Sequence, residues 1–187
     1  MYVFGYGSLV SASSVSRSLQ RTVTEADLPA ARLNGYRRDF GIGVPVAFDD
    51  GLRCIARFLD VQPAGDGSVL GALVHVTDAE FAVLATREAQ YDAVDVTELI
   101  DVVGPGGAAI AIDGPVIAFS GRAEHRRAGA EDVLPQRYLD MVSEAVASRG
   151  AGFAAEFWQS TLAAELPRHS GSYRFADPAQ EQATRPS

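Results

Sequence analysis

The stretch that decides the fold is Met1-Tyr2-Val3-Phe4-Gly5-Tyr6-Gly7-Ser8-Leu9. An apolar run leads directly into a turn with two glycines, which predicts a buried strand over residues 2–6 followed by a tight loop. Glycine lets the main chain adopt conformations that other residues avoid, and it lets an anion come close to backbone N–H groups. We therefore expect the chemistry of this protein at the loop. The alternative is an ordinary turn that binds nothing.

Three familiar types of glycine loop do not fit this stretch. A dinucleotide fingerprint requires a third glycine or alanine where Val10 stands. A Walker phosphate loop requires a lysine, and all 16 basic residues of the chain are arginine. A serine-hydrolase elbow requires glycines at the positions of Tyr6 and Val10. Ser8 is therefore predicted to form hydrogen bonds at the turn rather than to act as a nucleophile.

The composition predicts an acidic globular protein. With 187 residues, 47% of them hydrophobic, the chain can bury a sizeable core. Its formal net charge of -8 argues against nucleic acid or an anionic membrane as partner. The N-terminal segment does not resemble a signal peptide, and no apolar run approaches the roughly 20 residues that cross a bilayer. We expect a cytoplasmic location, and the sequence predicts no particular oligomeric state.

The sequence also predicts neither a disulfide nor a metal site. Cys54 is the only cysteine, so no intramolecular disulfide can form, and its apolar surroundings favour a buried, inert thiol. The three histidines, at positions 75, 125 and 169, form no metal-binding motif. We expect no metal and no organic cofactor.

Hydrophobic periodicity predicts a mainly β body followed by a helical last third. A capping box formed by Thr77 and Glu80 marks the clearest helix start. The strand-like segments are 2–6, 30–42, 52–61, 69–76, 91–103 and 108–119, with turns at 63–67 and 104–107, and the helical segments are 11–20, 77–89, 135–149 and 151–166. No repeat or linker divides the chain. Residues 1–176 are predicted to form one domain, and the polar residues 177–187 a flexible tail.

Glu88 is the candidate for acid–base chemistry. It stands in Leu84-Ala85-Thr86-Arg87-Glu88-Ala89-Gln90-Tyr91-Asp92, at the end of a predicted helix and before a strand. A helix C-terminus disfavours a carboxylate, and partial burial would raise its pKa by desolvation. A raised pKa suits a group that accepts and then returns a proton. The alternative is a surface glutamate paired with Arg87 or another arginine.

Taken together, these segments resemble the γ-glutamylcyclotransferase superfamily. Residues 2–9 resemble its Tyr-Gly-Ser loop, and Thr86-Arg87-Glu88-Ala89-x-Tyr91 is similar to the stretch that carries its catalytic glutamate. Leu33-x-Gly35-Tyr36-Arg37-Arg38-x-Phe40 and Leu134-Pro135-x-x-Tyr138-Leu139 resemble two further segments of the family. The similarity runs in the same order from Tyr2 to Trp158.

The resemblance implies a mixed α/β (α+β) fold in which helices pack outside a small, partly closed β-barrel. It further implies an enzyme that cyclises the γ-glutamyl group of a small amide or peptide to 5-oxoproline and releases the amine. In this chain the substrate-binding residues would be Tyr6, Gly7, Ser8 and Leu9, with Tyr91 as a further contact, and Glu88 would move the protons. The partner is then a small γ-glutamyl substrate, and the reaction needs no cofactor.

Two questions stay open at the level of sequence. Leu9 directly after Gly-Ser is closer to the glutathione-degrading ChaC branch, but Val10-Ser11-Ala12 and Arg53-Cys54-Ile55-Ala56 differ from that branch, so no branch is assigned. The same scaffold could also serve a protein that binds γ-glutamyl or acidic metabolites without turnover, or an amide hydrolase. The products separate these functions, because free glutamate carries one water more than 5-oxoproline.

Overall fold

A computed structural model of the chain describes residues 1–103 and 112–184. It shows a mixed α/β fold in which a seven-stranded sheet carries helices on both faces. The strands are Tyr2–Gly5 (β1), Ala30–Phe48 (β2), Arg53–His75 (β3), Tyr91–Asp95 (β4), Ile100–Val103 (β5), Val116–Gly121 (β6), Leu134–Pro135 (β7), Arg168–His169 (β8) and Tyr173–Phe175 (β9). The helices are Ala12–Leu19 (α1), Asp78–Arg87 (α2), Gln136–Ala147 (α3), Ala151–Gln159 (α4) and Pro178–Thr184 (α5).

The strand order of the large sheet is β4-β6-β1-β3-β2-β5, and β9 pairs with the far end of β2. β1 runs parallel to β6 and antiparallel to β3, while β7 and β8 form a separate two-stranded pair. Among the described strands no hydrogen-bonded pairing joins β4 to β5, so backbone hydrogen bonds between these strands do not close the sheet. The mixed α/β class is confirmed, and the partly closed barrel stays a prediction.

The opening stretch of the sequence forms the centre of this sheet. Side chains along a strand alternate between its two faces, and both faces of β1 are buried. Val3 packs with α1 and α2 on one face, and Phe4 packs with α3 and α4 on the other. Each of these two side chains is at most 1% exposed. A strand buried on both sides reads as a continuous apolar run, which is the pattern of Tyr2-Val3-Phe4.

Two predicted strands, 52–61 and 69–76, are in fact parts of the single long strand β3. The turn predicted at 63–67 is wrong, because β2 pairs with β3 on both sides of it. Asn34 faces Ser68 while Tyr36 faces Pro63, so the four residues 64–67 bulge out opposite Gly35 alone. Gly35 and Gly65 adopt positive φ angles of 75° and 57° there, which glycine tolerates without strain.

Other boundaries also differ from the prediction. The strand predicted over 91–103 is interrupted by a 3-10 turn at Thr97–Leu99 and gives β4 and β5. The turn predicted at 104–107 and the start of the strand predicted over 108–119 lie outside the described residues. Residues 178–184, assigned by composition to a flexible tail, form α5 in the structure.

Arg38 has the largest fully buried side chain and joins three parts of the fold. Its guanidinium donates to the carbonyl oxygens of Tyr6 in the loop (3.3 Å) and Leu70 in β3 (2.7 Å). It also donates to the carbonyl oxygen of Phe157 and lies 3.4 Å from the centre of that ring. Burial lowers the pKa of Arg38 to about 9, so the group is charged at neutral pH.

This guanidinium also explains why α4 ends at Gln159 rather than near residue 166. It donates to the hydroxyl oxygens of Ser160 (3.0 Å) and Thr161 (2.7 Å), directly after the helix. A cation at a helix C-terminus satisfies carbonyl groups that have no partner within the helix. Arg38 therefore caps α4 while it holds the loop after β1.

Replacing Arg38 by methionine should lower the free energy of unfolding by about 3 kcal/mol or more, because several buried carbonyl groups lose their donor. Urea denaturation followed by circular dichroism measures this change. Arg37→Met is the matched control, because Arg37 is exposed and its Nε lies 4.0 Å from Oδ2 of Asp39. Its replacement should lower the free energy of unfolding by no more than about 0.5 kcal/mol. Similar costs for the two variants would contradict the structural role of Arg38.

Candidate active site

The loop after β1 opens into a cavity of about 1400 Å³. The structure brings all the predicted site residues together here, because each of them lines this cavity: Tyr6, Gly7, Ser8, Leu9, Glu88 and Tyr91. The carboxylate at the end of α2 thus shares one space with the loop at the end of β1. This juxtaposition joins residues about 80 positions apart in the sequence.

Close backbone packing shapes the loop. A Cβ atom on Gly71 of β3 would lie only 2.3 Å from the carbonyl oxygen of Gly5, and one on Gly5 would lie 2.7 Å from that of Leu9. Both distances are shorter than real carbon–oxygen contacts, so the loop can fold back over the end of β1 only with glycine at both positions. Residues Ser8–Val10 then form a 3-10 turn, and Gly7, at the N-cap position before it, has no side chain that could accept from the first amides of the turn. Amides in the first turn of a helix lack acceptors within it, so these N–H groups can serve a ligand.

The Ser8 side chain is engaged with Arg87 and not with a base. Its hydroxyl oxygen accepts a hydrogen bond of 2.8 Å from Nη2 of Arg87, and Nη1 of the same guanidinium donates to the hydroxyl of Ser18 in α1. Arg87 thereby ties the loop to α1 and α2. This arrangement agrees with a hydrogen-bonding Ser8, since activation of a nucleophilic serine needs a neighbouring general base.

Glu88 is the residue that follows the last turn of α2, and its amide still donates to the carbonyl oxygen of Leu84 (2.9 Å). Its side chain is 20% exposed, and Oε1 lies 3.3 Å from Nε of Arg87. Within residues 1–103 and 112–184 the carboxylate accepts no hydrogen bond. Desolvation raises the pKa of Glu88, and the charge of Arg87 opposes this increase only in part. Glu88 therefore does form the predicted ion pair with Arg87, but it also lines the cavity.

The negative charge of Glu88 contributes to raising the pKa of three tyrosine hydroxyls, those of Tyr6, Tyr91 and Tyr138. Tyr6 donates to the carbonyl oxygen of Phe119, and Tyr91 donates to that of Leu59 (2.9 Å). The hydroxyl of Tyr138 accepts from the amide of Leu59 (3.3 Å) and retains its own proton for donation. Burial is the main cause of the raised pKa of each tyrosine, so all three are neutral at physiological pH.

Sequence reasoning missed several of the residues that line the cavity. Tyr138 lies in the Leu134–Leu139 segment that carries the family resemblance, but the sequence analysis assigns it no role in the site. Arg87 was considered only as a partner of Glu88. The C-terminal residues Tyr173, Phe175 and Gln180 gave no signal, since they stand in a polar segment with no periodicity.

The side chain of Gln180 holds α5 against the site. Gln90 donates to Oε1 of Gln180 (3.0 Å), and Gln180 donates back to Oε1 of Gln90 (2.8 Å). Both side chains are buried, and Gln90 stands between Glu88 and Tyr91. The C-terminal segment is therefore one wall of the cavity.

Neither a metal centre nor a membrane-spanning helix is found in the described part of the chain. No three or more histidine, cysteine or carboxylate side chains among residues 1–103 and 112–184 are arranged to hold a metal ion. None of the helices described above is long and apolar enough to span a membrane.

The thermal stability of Glu88→Gln distinguishes a buried carboxylate from an ordinary surface ion pair. Since the pKa of Glu88 is higher in the folded than in the unfolded protein, ionisation destabilises the fold above about pH 4.5. The variant should have a higher Tm than the parent at pH 7, with each 1 kcal/mol worth roughly 2–4 °C in a chain of this length. The gain should vanish as the pH falls to about 4. If the variant instead has a lower Tm than the parent at pH 7, and this deficit disappears at pH 4, Glu88 forms an ordinary surface ion pair.

Comparisons with known proteins place this geometry in a structural context. No family model matches the chain, and no curated protein matches it. A solved γ-glutamyl cyclotransferase structure superimposes with a TM-score of 0.62 at 12% identity, covering 97% of this chain and 96% of the other. An uncharacterized protein from Homo sapiens gives 0.59 at 13% identity, with 98% of both chains covered.

The structure of YkqA from Bacillus subtilis gives a TM-score of 0.57 at 20% identity and covers 90% of this chain. The present chain spans 56% of the length of YkqA. At these identities the likeness concerns the fold. The resemblance to the γ-glutamylcyclotransferase superfamily is thereby confirmed at the level of the fold: the chain has a γ-glutamylcyclotransferase-like fold.

Proposed function

We propose that the protein cyclises the γ-glutamyl group of a small amide or peptide to 5-oxoproline and releases the attached amine. The observation that carries this proposal is the shared cavity: a carboxylate with a raised pKa lies in the same space as the backbone of the loop at residues 6–9. A partly closed barrel around this space, a cytoplasmic location and a reaction without cofactor belong to the same proposal.

The reaction is intramolecular. The α-amino nitrogen of the substrate attacks its own γ-carbonyl carbon, and the bond from that carbon to the departing nitrogen breaks. The α-ammonium group gives up two protons and the departing nitrogen gains two, so no water is consumed. Because nucleophile and electrophile share one molecule, the protein has only to hold the substrate in a folded conformation. Effective molarities on the order of 10⁵ M or more are available to such ring closures.

Glu88 is proposed to carry the protons between the two nitrogen atoms. An ammonium group has no lone pair, so a base must first deprotonate it. Desolvation makes the Glu88 carboxylate a stronger base than an exposed glutamate, and the same residue can then protonate the departing nitrogen. Its side chain is 20% exposed and lines the cavity, which gives a substrate access to it.

The loop is proposed to bind the negative charge of the substrate or of the developing oxyanion. The amides at the start of the Ser8–Val10 turn are the donors, and each such donor contributes roughly 3 kcal/mol to transition-state stabilisation in comparable sites. Tyr91 lines the same space and is proposed as a substrate contact. Its hydroxyl is engaged with the carbonyl oxygen of Leu59, so the ring face rather than the hydroxyl would meet the substrate.

The Glu88→Gln variant tests the proposed reaction. Glutamine has nearly the same shape but cannot take up a proton, so 5-oxoproline formation should fall by about 100-fold or more while the fold is retained. The assay is a panel of γ-glutamyl amides with mass-spectrometric detection of products. Glu98→Gln, on an exposed 3-10 turn, is the matched control and should retain parental activity.

The same assay separates the alternatives. Free glutamate as the product would identify an amide hydrolase, and ligand-induced stabilisation without any product would identify a binding protein. Undiminished cyclisation by Glu88→Gln would reject the role proposed for this residue.

A further inference from the structure

The cavity continues beyond the catalytic end into a region lined by aromatic rings. We call Phe48, Phe58, Tyr173 and Phe175 the aromatic wall; all four line the cavity. Their rings contact one another: Phe58 lies 5.9 Å from Tyr173 and 5.7 Å from Phe175, and Phe48 lies 5.7 Å from Tyr173. These centroid distances fall in the range of favourable ring pairs.

Tyr138 connects the aromatic wall to the loop. Its ring packs edge-on against Phe58 at 4.9 Å. Its hydroxyl lies 3.4 Å from the position that a Cβ atom on Gly7 would take. The side chain of Tyr138 thus lies between the loop and the aromatic wall, so a substrate whose γ-glutamyl group lies at the loop can place its amine half against this wall.

The aromatic wall is only partly used by the protein itself. Phe48 and Phe58 are buried in the core, whereas Tyr173 and Phe175 on β9 are only half-buried. Burial raises the pKa of Tyr173 to about 12, so its hydroxyl is neutral. The ring nevertheless lines the cavity, so it can contact a ligand there.

Charge does not select the ligand at this end of the cavity. The lining there includes two arginines, Arg137 and Arg174, and two acidic residues, Asp49 and Glu181. Residues of both signs favour neither an anionic nor a cationic group. The apolar ring surface is thus the feature that discriminates between ligands, because contact with it removes apolar area from water.

We propose that the amine released by this protein carries an aromatic or similarly sized flat apolar group, which packs on Tyr173 and Phe175. The inference rests on the proposed function for the position of the γ-glutamyl group. The binding of the apolar group itself is independent of turnover. Small polar amines, in contrast, leave the aromatic wall in contact with water.

Two γ-glutamyl amides that differ only in this group, the benzylamide and the methylamide, provide the test. Their dissociation constants are measured by calorimetry on the Glu88→Gln protein, so that turnover does not interfere. We expect the benzylamide to bind at least tenfold more tightly. Tyr173→Ser should remove most of this preference, and Tyr173→Phe should keep it because the ring remains. Phe153→Leu, on α4 away from the cavity, is the control and should leave the preference unchanged.

The inference is overturned if the two amides bind equally, if neither binds, or if Tyr173→Ser retains the preference. The proposed reaction is read separately, as 5-oxoproline formed by the parent protein. Cyclisation of both amides with equal kcat/KM and equal affinity would reject the aromatic specificity alone. A preserved binding preference without any 5-oxoproline would reject the reaction alone.

Discussion

The buried guanidinium of Arg38 is the constraint on which the rest of the structure depends. It carries a full charge in the core, where an isolated ion is costly, and it is stabilised by main-chain carbonyls and hydroxyls rather than by a carboxylate. These acceptors belong to the loop after β1, to β3 and to the end of α4. If one of these elements moved away from the guanidinium, its acceptor would lose its donor. The shared hydrogen bonds therefore fix the three elements relative to one another. The position of the loop, and hence of its amides, follows from this arrangement.

On the other side of the cavity lies the carboxylate of Glu88, whose ionised form is destabilised by its surroundings. Glu88 stands at a helix C-terminus and is largely withdrawn from water, and among the described residues only Arg87 compensates its charge. A site of this kind is unfavourable for stability and favourable for proton transfer. Arg87 moderates the cost and, through Ser8 and Ser18, also connects the loop to two helices. The ion pair and the proposed catalytic role therefore coexist in one arrangement.

The parts of this site that could be predicted from the sequence are those with a local signal. The apolar run before Gly5 predicted the central strand, and the capping box at Thr77 predicted the start of α2. Glu88 was predicted near the end of that helix, and the family resemblance implied its role. Features that arise from tertiary packing had no such signal. Composition predicted a turn at residues 63–67, but pairing with β2 continues across it. The buried position of Arg38 and the aromatic wall each depend on contacts between residues more than 100 positions apart in the sequence.

The central claim is that the Glu88 carboxyl and the loop amides face the same ligand. Nuclear magnetic resonance of protein labelled in the glutamate carboxyl carbon and the backbone amides measures this directly, with 5-oxoproline as the titrant. We predict a Glu88 pKa above 4.5 in the free protein, and ligand-induced shifts of Glu88 and of the Gly7, Ser8 and Leu9 amides along a single binding curve. An ordinary Glu88 pKa, or shifts confined to only one of the two groups, would contradict the account.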